Sequence, residues 1–324
     1  MQVVAYQKKH ARMWDEFVRH SLNATFLLQR DYMDYHADRF EDASLLFLDD
    51  KERLCGLLAA NACSLEKQIV AHGGLTYGGL IVNHRLTTLS ACSMLTAAAR
   101  EYRARDFETM LYKPVPCMYH VHPAQEDLYV LFRAGAVLVS RAISTAIDFS
   151  IYPEYSNLRK RKIKKAQSAG IRVAEVCEKN QWQDFHAILK DVLYTRHRVF
   201  PVHSAEELQL LAARFPENIR LFTAFDENIC AGIVVYDTKR VFHLQYIAAN
   251  DHACNKCALD VLIDHTIHIA RKEGHRYFDF GISTEQDGRR LNKGLIFQKE
   301  GFGGHAFCYD AYMVNLNELA HLCM

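Results

Sequence analysis

Leu221 to Val235 reads LFTAFDENICAGIVV. An apolar run, an acidic turn and a second apolar run carrying Cys230 and Gly232 make the pattern of a β-hairpin whose polar turn separates two buried strands. The pattern stands earlier as well: Leu45 to Leu58 reads LLFLDDKERLCGLL, again with Cys and Gly in its second run. The stretches after the two hairpins also match each other. Leu75 to Val82 is strand-like and precedes a helical stretch from Thr87 to Arg105. Val241 to Ala248 is strand-like and precedes a helical stretch from Cys254 to Glu273, which Gly274 closes as a C-cap before a short strand from Tyr277 to Gly281. Hairpin, strand, helix, strand, laid down twice, predicts an α/β chain with mixed sheets in two similar domains.

The length of 324 residues fits two domains. The join is expected at Tyr152-Pro153, because proline removes a helix donor and restricts its neighbour. This gives domains of 1–152 and 153–324. The second opens with SNLRKRKIKKAQSAGIRV, a basic helix over about 156–170 capped by Ser156 or Asn157 and ended by Gly170. Half the residues are hydrophobic and 24% are charged, enough apolar material for a sizeable core.

Composition also narrows function. The formal net charge of +1 lacks the basic excess of a dedicated nucleic-acid binder. No run reaches the ~20 apolar residues of a membrane span, and the start, MQVVAYQKKHARMWDEF, has no apolar core of signal-peptide type. The ten cysteines are irregularly spaced, which fits reduced thiols. Together these features predict a cytoplasmic protein without membrane insertion.

Two stretches carry candidate chemistry. The strand ending at Ala248 leads into Ala249-Asn250-Asp251-His252 and then a helix. Free N–H groups at such a junction favour an anion such as a pyrophosphate, which marks Ala249, Asn250, Asp251, Asn255 and Lys256 as candidate donor-binding residues. The second stretch, Phe278 to Gly304, reads FDFGISTEQDGRRLNKGLIFQKEGFGG: a buried strand, a polar loop, then a helix expected to turn Leu291, Leu295 and Phe297 inward. Ligands of α/β sheets gather at such strand-end loops. Glu285 is the candidate general base there and Lys299 the candidate cation for a developing oxyanion, with Arg289 and Asn292 as substrate contacts. His243, in an apolar strand, reads as a hydrogen-bonded core histidine; Tyr246 is expected by strand alternation on the same face, where it orients substrate. The turn His72-Gly73-Gly74 lacks the Lys-Ser/Thr ending of a P-loop, and His72 is a candidate substrate contact. Cys254-x2-Cys257 with His265-x2-His268 has zinc-like spacing, but on one continuous helix its ends lie about 21 Å apart at ~1.5 Å per residue, so no metal is expected there. A Gly-x-Ser-x-Gly elbow does not occur.

Phe278 to Gly304 resembles the C-terminal signature of the FemAB family of aminoacyl- and acyltransferases: a DFG-type strand, a Ser-Thr-Glu loop, an Asn-x-Gly-Leu helix start, and a Lys followed by Phe-Gly. Arg161-Lys162-Ile163-Lys164-Lys165-Ala166 with Gly170 to Val173 is similar to the family's basic interdomain segment, and Phe26 to Gln29 and His72 to Leu75 also match. The resemblance implies two tandem acetyltransferase-like (GNAT) domains. It implies transfer of an acyl or aminoacyl group to an amine through a tetrahedral intermediate, with acyl-CoA or aminoacyl-tRNA as donor and no metal. The implied acceptor is a small-molecule or nucleotide-linked precursor of the cell envelope, sugar or peptidoglycan peptide. Lys299 matches the family's Lys near the transfer site. Two positions depart: Gln298 replaces the usual Phe, and Asp34-Tyr35-His36-Ala37 stands where the family has a substrate-binding Lys, leaving His36 as the candidate contact. Arg161, on the basic helix, is the candidate for a phosphate of the substrate or of a tRNA end. The rivals to an N-acyltransferase of envelope precursors are a tRNA-dependent aminoacyl ligase of the FemX type and a non-catalytic binding protein of the same fold.

Overall fold

A computed structural model describes residues 1–322. The chain divides into two compact units. One comprises residues 1–142, 284–290 and the C-terminal segment from Cys308; the other comprises residues 143–283 and 291–307. This corrects the single join expected at residue 152. Val137–Asp148 is one uninterrupted strand with no Gly or Pro at its middle, so the division falls inside it, and later segments return to the first unit.

In the first unit, β1 (Gln2–Ala5), β2 (Leu45–Leu48), β3 (Leu54–Ala59) and β4 (Gly79–Val82) form an antiparallel sheet in that order. The expected hairpin is present, with Leu45 opposite Leu58. Its turn closes because the Asp49 carboxylate accepts from the N–H of Lys51 and Arg53 while Glu52 takes φ 58°. Strand β4 starts at Gly79 rather than Leu75, since His72 (φ 48°) and Gly79 (φ 74°) are both left-handed and bend the segment between them into a loop. Helix α1 (Thr88–Ala104) begins with a capping box between Thr87 and Ser90. It buries Leu95, Ala98 and Tyr102 against Leu45, Phe47, Leu58 and Leu80. Strand β5 (Thr109–Tyr112) runs parallel to Gln68–Val70.

The second unit takes the residues of β6 (Val137–Asp148) from Ile143 onward. Helix α2 (Asn157–Ser168) comes next, capped by Ser156, and is the expected basic helix. The other elements are β7 (Arg172–Val176), α3 (Lys179–His197), α4 (Ala205–Arg214), β8 (Ile219–Asp226), β9 (Asn228–Asp237), β10 (Val241–Ala249), α5 (Asp251–Asn255), α6 (Ala258–Lys272), β11 (Tyr277–Ile282) and α7 (Lys293–Glu300). Strands β7, β8, β9, β10, β11 and β6 are neighbours in that order, and β10 with β11 is the parallel pair, joined across α5 and α6. Helix α6 covers one face, where Val261, Leu262, Ile263 and Ile267 meet Phe222, Ile233, Val235, Phe242 and Phe278. Gly232 points to the other face, so close to Phe185 of α3 that a Cβ there would sit 2.3 Å from Phe185 Cδ2. Packing this tight specifies glycine. Arg159 of α2 is buried in an ion pair with Asp260 of α6, fixing one helix on the other. No helix among the described residues is long and apolar enough to cross a membrane.

The continuous helix expected from Cys254 to Glu273 is two helices. Cys257 takes φ 60°, which breaks the helical run between Asn255 and Ala258. The 21 Å separation argued against zinc therefore rested on a helix that does not form. Among the described residues, the His, Cys, Asp and Glu side chains whose ligand atoms converge are Asp237, Glu273 and His275. Arg220 pairs with both of those carboxylates, so the group is an ion-pair network.

Candidate active site in the second unit

Strands β10 and β11 pair over three positions, Val241 with Tyr277, Phe242 with Phe278 and His243 with Asp279. Beyond that point β10 continues to Ala249 and β11 to Ile282 without further pairing to each other. The parting comes where β10 carries a bulge: His243 lies opposite Tyr236, Leu244 opposite Val235, and Tyr246 opposite Val234, leaving Gln245 as the extra residue. Simple alternation puts residues three apart on opposite faces. Because Tyr236 and Val234 are two apart on β9, the bulge brings His243 and Tyr246 to one face, as expected, though by a device no alternation pattern reveals. Tyr246 Oη lies 2.6 Å from Nδ1 of the buried His203, in the loop between α3 and α4. Burial pushes the Tyr246 hydroxyl above its ordinary pKa, so it stays protonated.

At the last paired position the two strands bring together His243 and Asp279, with Nδ1 2.7 Å from Oδ2. Asp279 is fully buried, and its Oδ1 accepts from the Ser144 hydroxyl at 2.5 Å and from the Gly281 N–H at 3.0 Å. Burial alone would raise this carboxyl. Its electrostatic pairing with His243 and the three hydrogen bonds outweigh it and hold the group below its ordinary value, as an anion. His243 is core-bonded, as the sequence suggests, yet its side chain keeps 15% of its surface.

Lys299, on α7, is 6% exposed and donates to the carbonyls of Gly281 at 2.7 Å and Ile282 at 2.8 Å. Burial lowers its ammonium from 10.5 to about 8, and the Asp279 charge offsets part of that. Two of its three N–H donors are thus directed at carbonyls and one remains. Gly281 links this cation to the histidine: at φ 76° it is left-handed, and a Cβ there would lie 3.5 Å from His243 Cε1. Asp279, Ser144 and His203 were missed in the sequence. The available signal was a lone acid inside the apolar run Tyr277–Gly281, since a buried carboxylate requires partners.

The other expected residues are dispersed. Asn250 caps α5 by accepting from Ala253 N–H at 2.8 Å, Ala249 is buried, and Asp251 and Asn255 are exposed. Lys256 is tied to Asp226 at 2.6 Å, as is His252 at 2.6 Å. Arg161 is exposed on α2 with Lys160, Lys164 and Lys165. Asn292 caps α7. That helix buries Lys299; Leu291 and Phe297, expected inward, are 41% and 62% exposed. Glu285 and Arg289 belong to the first unit, in the hairpin Thr284–Glu285 with Arg290–Leu291, where Glu285 lies 3.8 Å from Arg290.

His36 and His72, also in the first unit, are both buried, with ring centroids 5.6 Å apart. Burial, aided by His36, drives His72 down to about 3, so it is neutral. A Cβ at Gly74 would meet His36 Nε2 at 2.2 Å. The glycines of this turn therefore let the backbone close over a packed pair of rings rather than cradle a phosphate.

Residues 156–287 match the family model described as Acetyltransferase (GNAT) domain. Among solved structures, the chain is similar to FemX, with 10% identity, 98% of each chain covered and a TM-score of 0.69. The chain has a FemX-like tandem GNAT fold. The same fold recurs in L-PGS from Bacillus licheniformis, at 10% identity, 95% and 91% coverage and a TM-score of 0.62. It recurs again in a tandem GNAT protein from the clavulanic acid biosynthesis pathway, at 12% identity, 97% and 98% coverage and a TM-score of 0.50. No curated protein sequence matches the chain. The matched GNAT domain contains α2 through β11, and hence His243, Tyr246, His203 and Asp279; Lys299 lies just beyond it.

Proposed function

We propose that the second unit catalyses transfer of an acyl or aminoacyl group to an amine. The observation that carries this reading is the parting of β10 from β11 beside the Lys299 ammonium. Where a parallel pair separates, the facing N–H and C=O groups are free of each other. An extended amide chain, such as the pantetheine arm of an acyl-CoA, can add to such an edge. The donor's diphosphate would then fall near the junction from Ala249 to Lys256, with Asn250, Asp251, Asn255 and Lys256 around it. The remaining N–H of Lys299 would face the oxyanion of the tetrahedral intermediate, with Tyr246 orienting the amine.

Aminoacyl-tRNA is the alternative donor, as in a FemX-type ligase, and one observation favours it: the exposed cations Lys160, Arg161, Lys164 and Lys165 share the surface of α2. A cell-envelope precursor is the proposed acceptor, with Arg289, Asn292, His36 and His72 as the outlying candidates for binding it and Glu285 as the outlying candidate base. Calorimetric titration with acetyl-CoA and with charged tRNA, at low and moderate salt, tests the reading. One-to-one binding of either donor supports it, and at 100 times Kd the donor should add about 2.7 kcal/mol of stability. Binding of neither would leave a GNAT-fold protein with no transfer function.

A further inference from the structure

A nucleophilic amine is protonated in water near neutral pH, so acyl transfer to it requires a group that removes a proton. Such a group needs an unprotonated nitrogen or oxygen reaching the site, and a second group fixing its orientation. The second unit supplies both at the last paired position of β10 and β11. His243 Nδ1 is held 2.7 Å from Asp279 Oδ2, and Asp279 is itself held by Ser144 and by the N–H of Gly281. An anionic carboxylate on Nδ1 takes the ring proton on that side, which leaves Nε2 with its lone pair. Among the described residues, Nε2 has no hydrogen-bond partner, and it is not sealed in the interior.

The placement of this nitrogen sets it apart from a core histidine. The Gly281 backbone runs beside the His243 ring edge, and the same residue's carbonyl binds Lys299 Nζ at 2.7 Å. A base and a cation therefore flank one glycine at the point where the strands part. The bulge at Gln245 sets Tyr246 on the same face as His243, two register positions on, about 7 Å along the strand at ~3.3 Å per residue. Base and cation thus meet the same glycine where the strands part, with the Tyr246 side chain on the His243 face, whereas a structural histidine would have both ring nitrogens bonded.

We propose that His243 is the general base of this unit and that Asp279 is its positioning residue, an assignment that rests on the acyl-transfer reading. The amine, its ammonium proton already lost to water, bonds through nitrogen to the donor's carbonyl carbon as one of its N–H protons passes to His243 Nε2. Collapse of the tetrahedral intermediate breaks the carbon–sulfur bond of a thioester, or the carbon–oxygen bond of an aminoacyl ester. The proton on Nε2 then goes to the departing thiolate or ribose oxygen. Imidazole returns to its neutral form, so one amide and one thiol, or one free ribose hydroxyl, leave for each donor used.

The test uses the full chain, with acetyl-CoA and lysyl-tRNA as donors and a panel of primary amines as acceptors. His243→Ala should lower kcat by about 10²–10⁴-fold with donor Kd within twofold, and added imidazole should restore part of the rate. Asp279→Asn should lower kcat too, and the double variant should be no slower than His243→Ala alone, because the two groups act as a unit. A purely structural Asp279 would give additive losses. Thermal midpoints verify that each variant folds; since Asp279 is buried, Ser144→Ala provides a milder perturbation of the same carboxylate. If the wild type turns over and His243→Ala stays within threefold of it, the base assignment is wrong while the acyl-transfer reading stands. If the wild type neither binds nor uses either donor, the reading itself fails and takes the assignment with it.

Discussion

Replacing Lys299 by methionine removes a buried ammonium while keeping most of the side-chain volume. Burial lowers that ammonium from 10.5 to about 8, a displacement worth about 3 kcal/mol at ~1.36 kcal/mol per pH unit. The sign is set by proton binding. Between about pH 8 and 10.5 the unfolded chain keeps this proton and the folded one has released it, so stability rises with pH across that window. Below the window both states are charged and the folded protein bears the full cost of the buried charge. At neutral pH the substitution relieves that cost but leaves the carbonyls of Gly281 and Ile282 without their donor, at about 1–3 kcal/mol each if they stay buried. The two effects largely cancel, so stability at one pH is uninformative and the pH dependence is the signal. Urea midpoints for wild type and Lys299→Met should diverge from about pH 7.5 to about pH 10.5, with the wild type gaining about 2–3 kcal/mol on the variant. Lys113, also lowered to about 8 by burial, titrates in both proteins and cancels in the difference. Parallel curves across the window would show that Lys299 is solvated or mobile, and the site geometry would be wrong.

Three further outcomes are expected. If the charged form of Lys299 stabilises the oxyanion, the rate of acyl transfer should fall above about pH 8; a kcat profile that stays flat to about pH 9.5 contradicts that role. Gly232→Ala places a methyl 2.3 Å from Phe185 Cδ2 and should cost about 1–3 kcal/mol in urea unfolding, with α3 displaced from β9; a neutral effect would mean that the ring gives way freely. Arg159→Met strands the buried Asp260 and should cost about 3–5 kcal/mol, whereas adding Asp260→Leu should recover most of it, measured by the same unfolding.

The residues that announce themselves by pattern were legible. Both hairpins, the helical stretch from Thr87 and the basic helix capped at Ser156 come from local patterns of apolar run, turn and cap, and they form where those patterns put them. Lys299 stands out by resemblance, and it does lie at the strand end, although two of its hydrogen bonds go to backbone carbonyls. What escaped is what depends on pairing between distant strands. Asp279 and His243 are 36 residues apart, and only the register of the parallel ladder makes them partners. The bulge at Gln245 carries no composition signal, and Cys257 is not a residue type that advertises a left-handed break. Leu291, Leu295 and Phe297 failed as an inward set because Leu291 falls before the helix, in the short strand Arg290–Leu291, and a helix of eight residues with apolar groups on several sides has no unique buried face.

Acyl transfer by the second unit would be seen most plainly as label transfer in a single turnover, with excess full-length protein, an amine acceptor, and either radiolabelled acetyl-CoA or radiolabelled lysyl-tRNA. One of these donors should yield an amide product that resists hydroxylamine. Lys299→Met should slow its appearance by at least about 10²-fold, the usual cost of losing one oxyanion donor. Label that remains on the donor, or is released only as free acid at equal rates in wild type and variant, would contradict acyl transfer at this site.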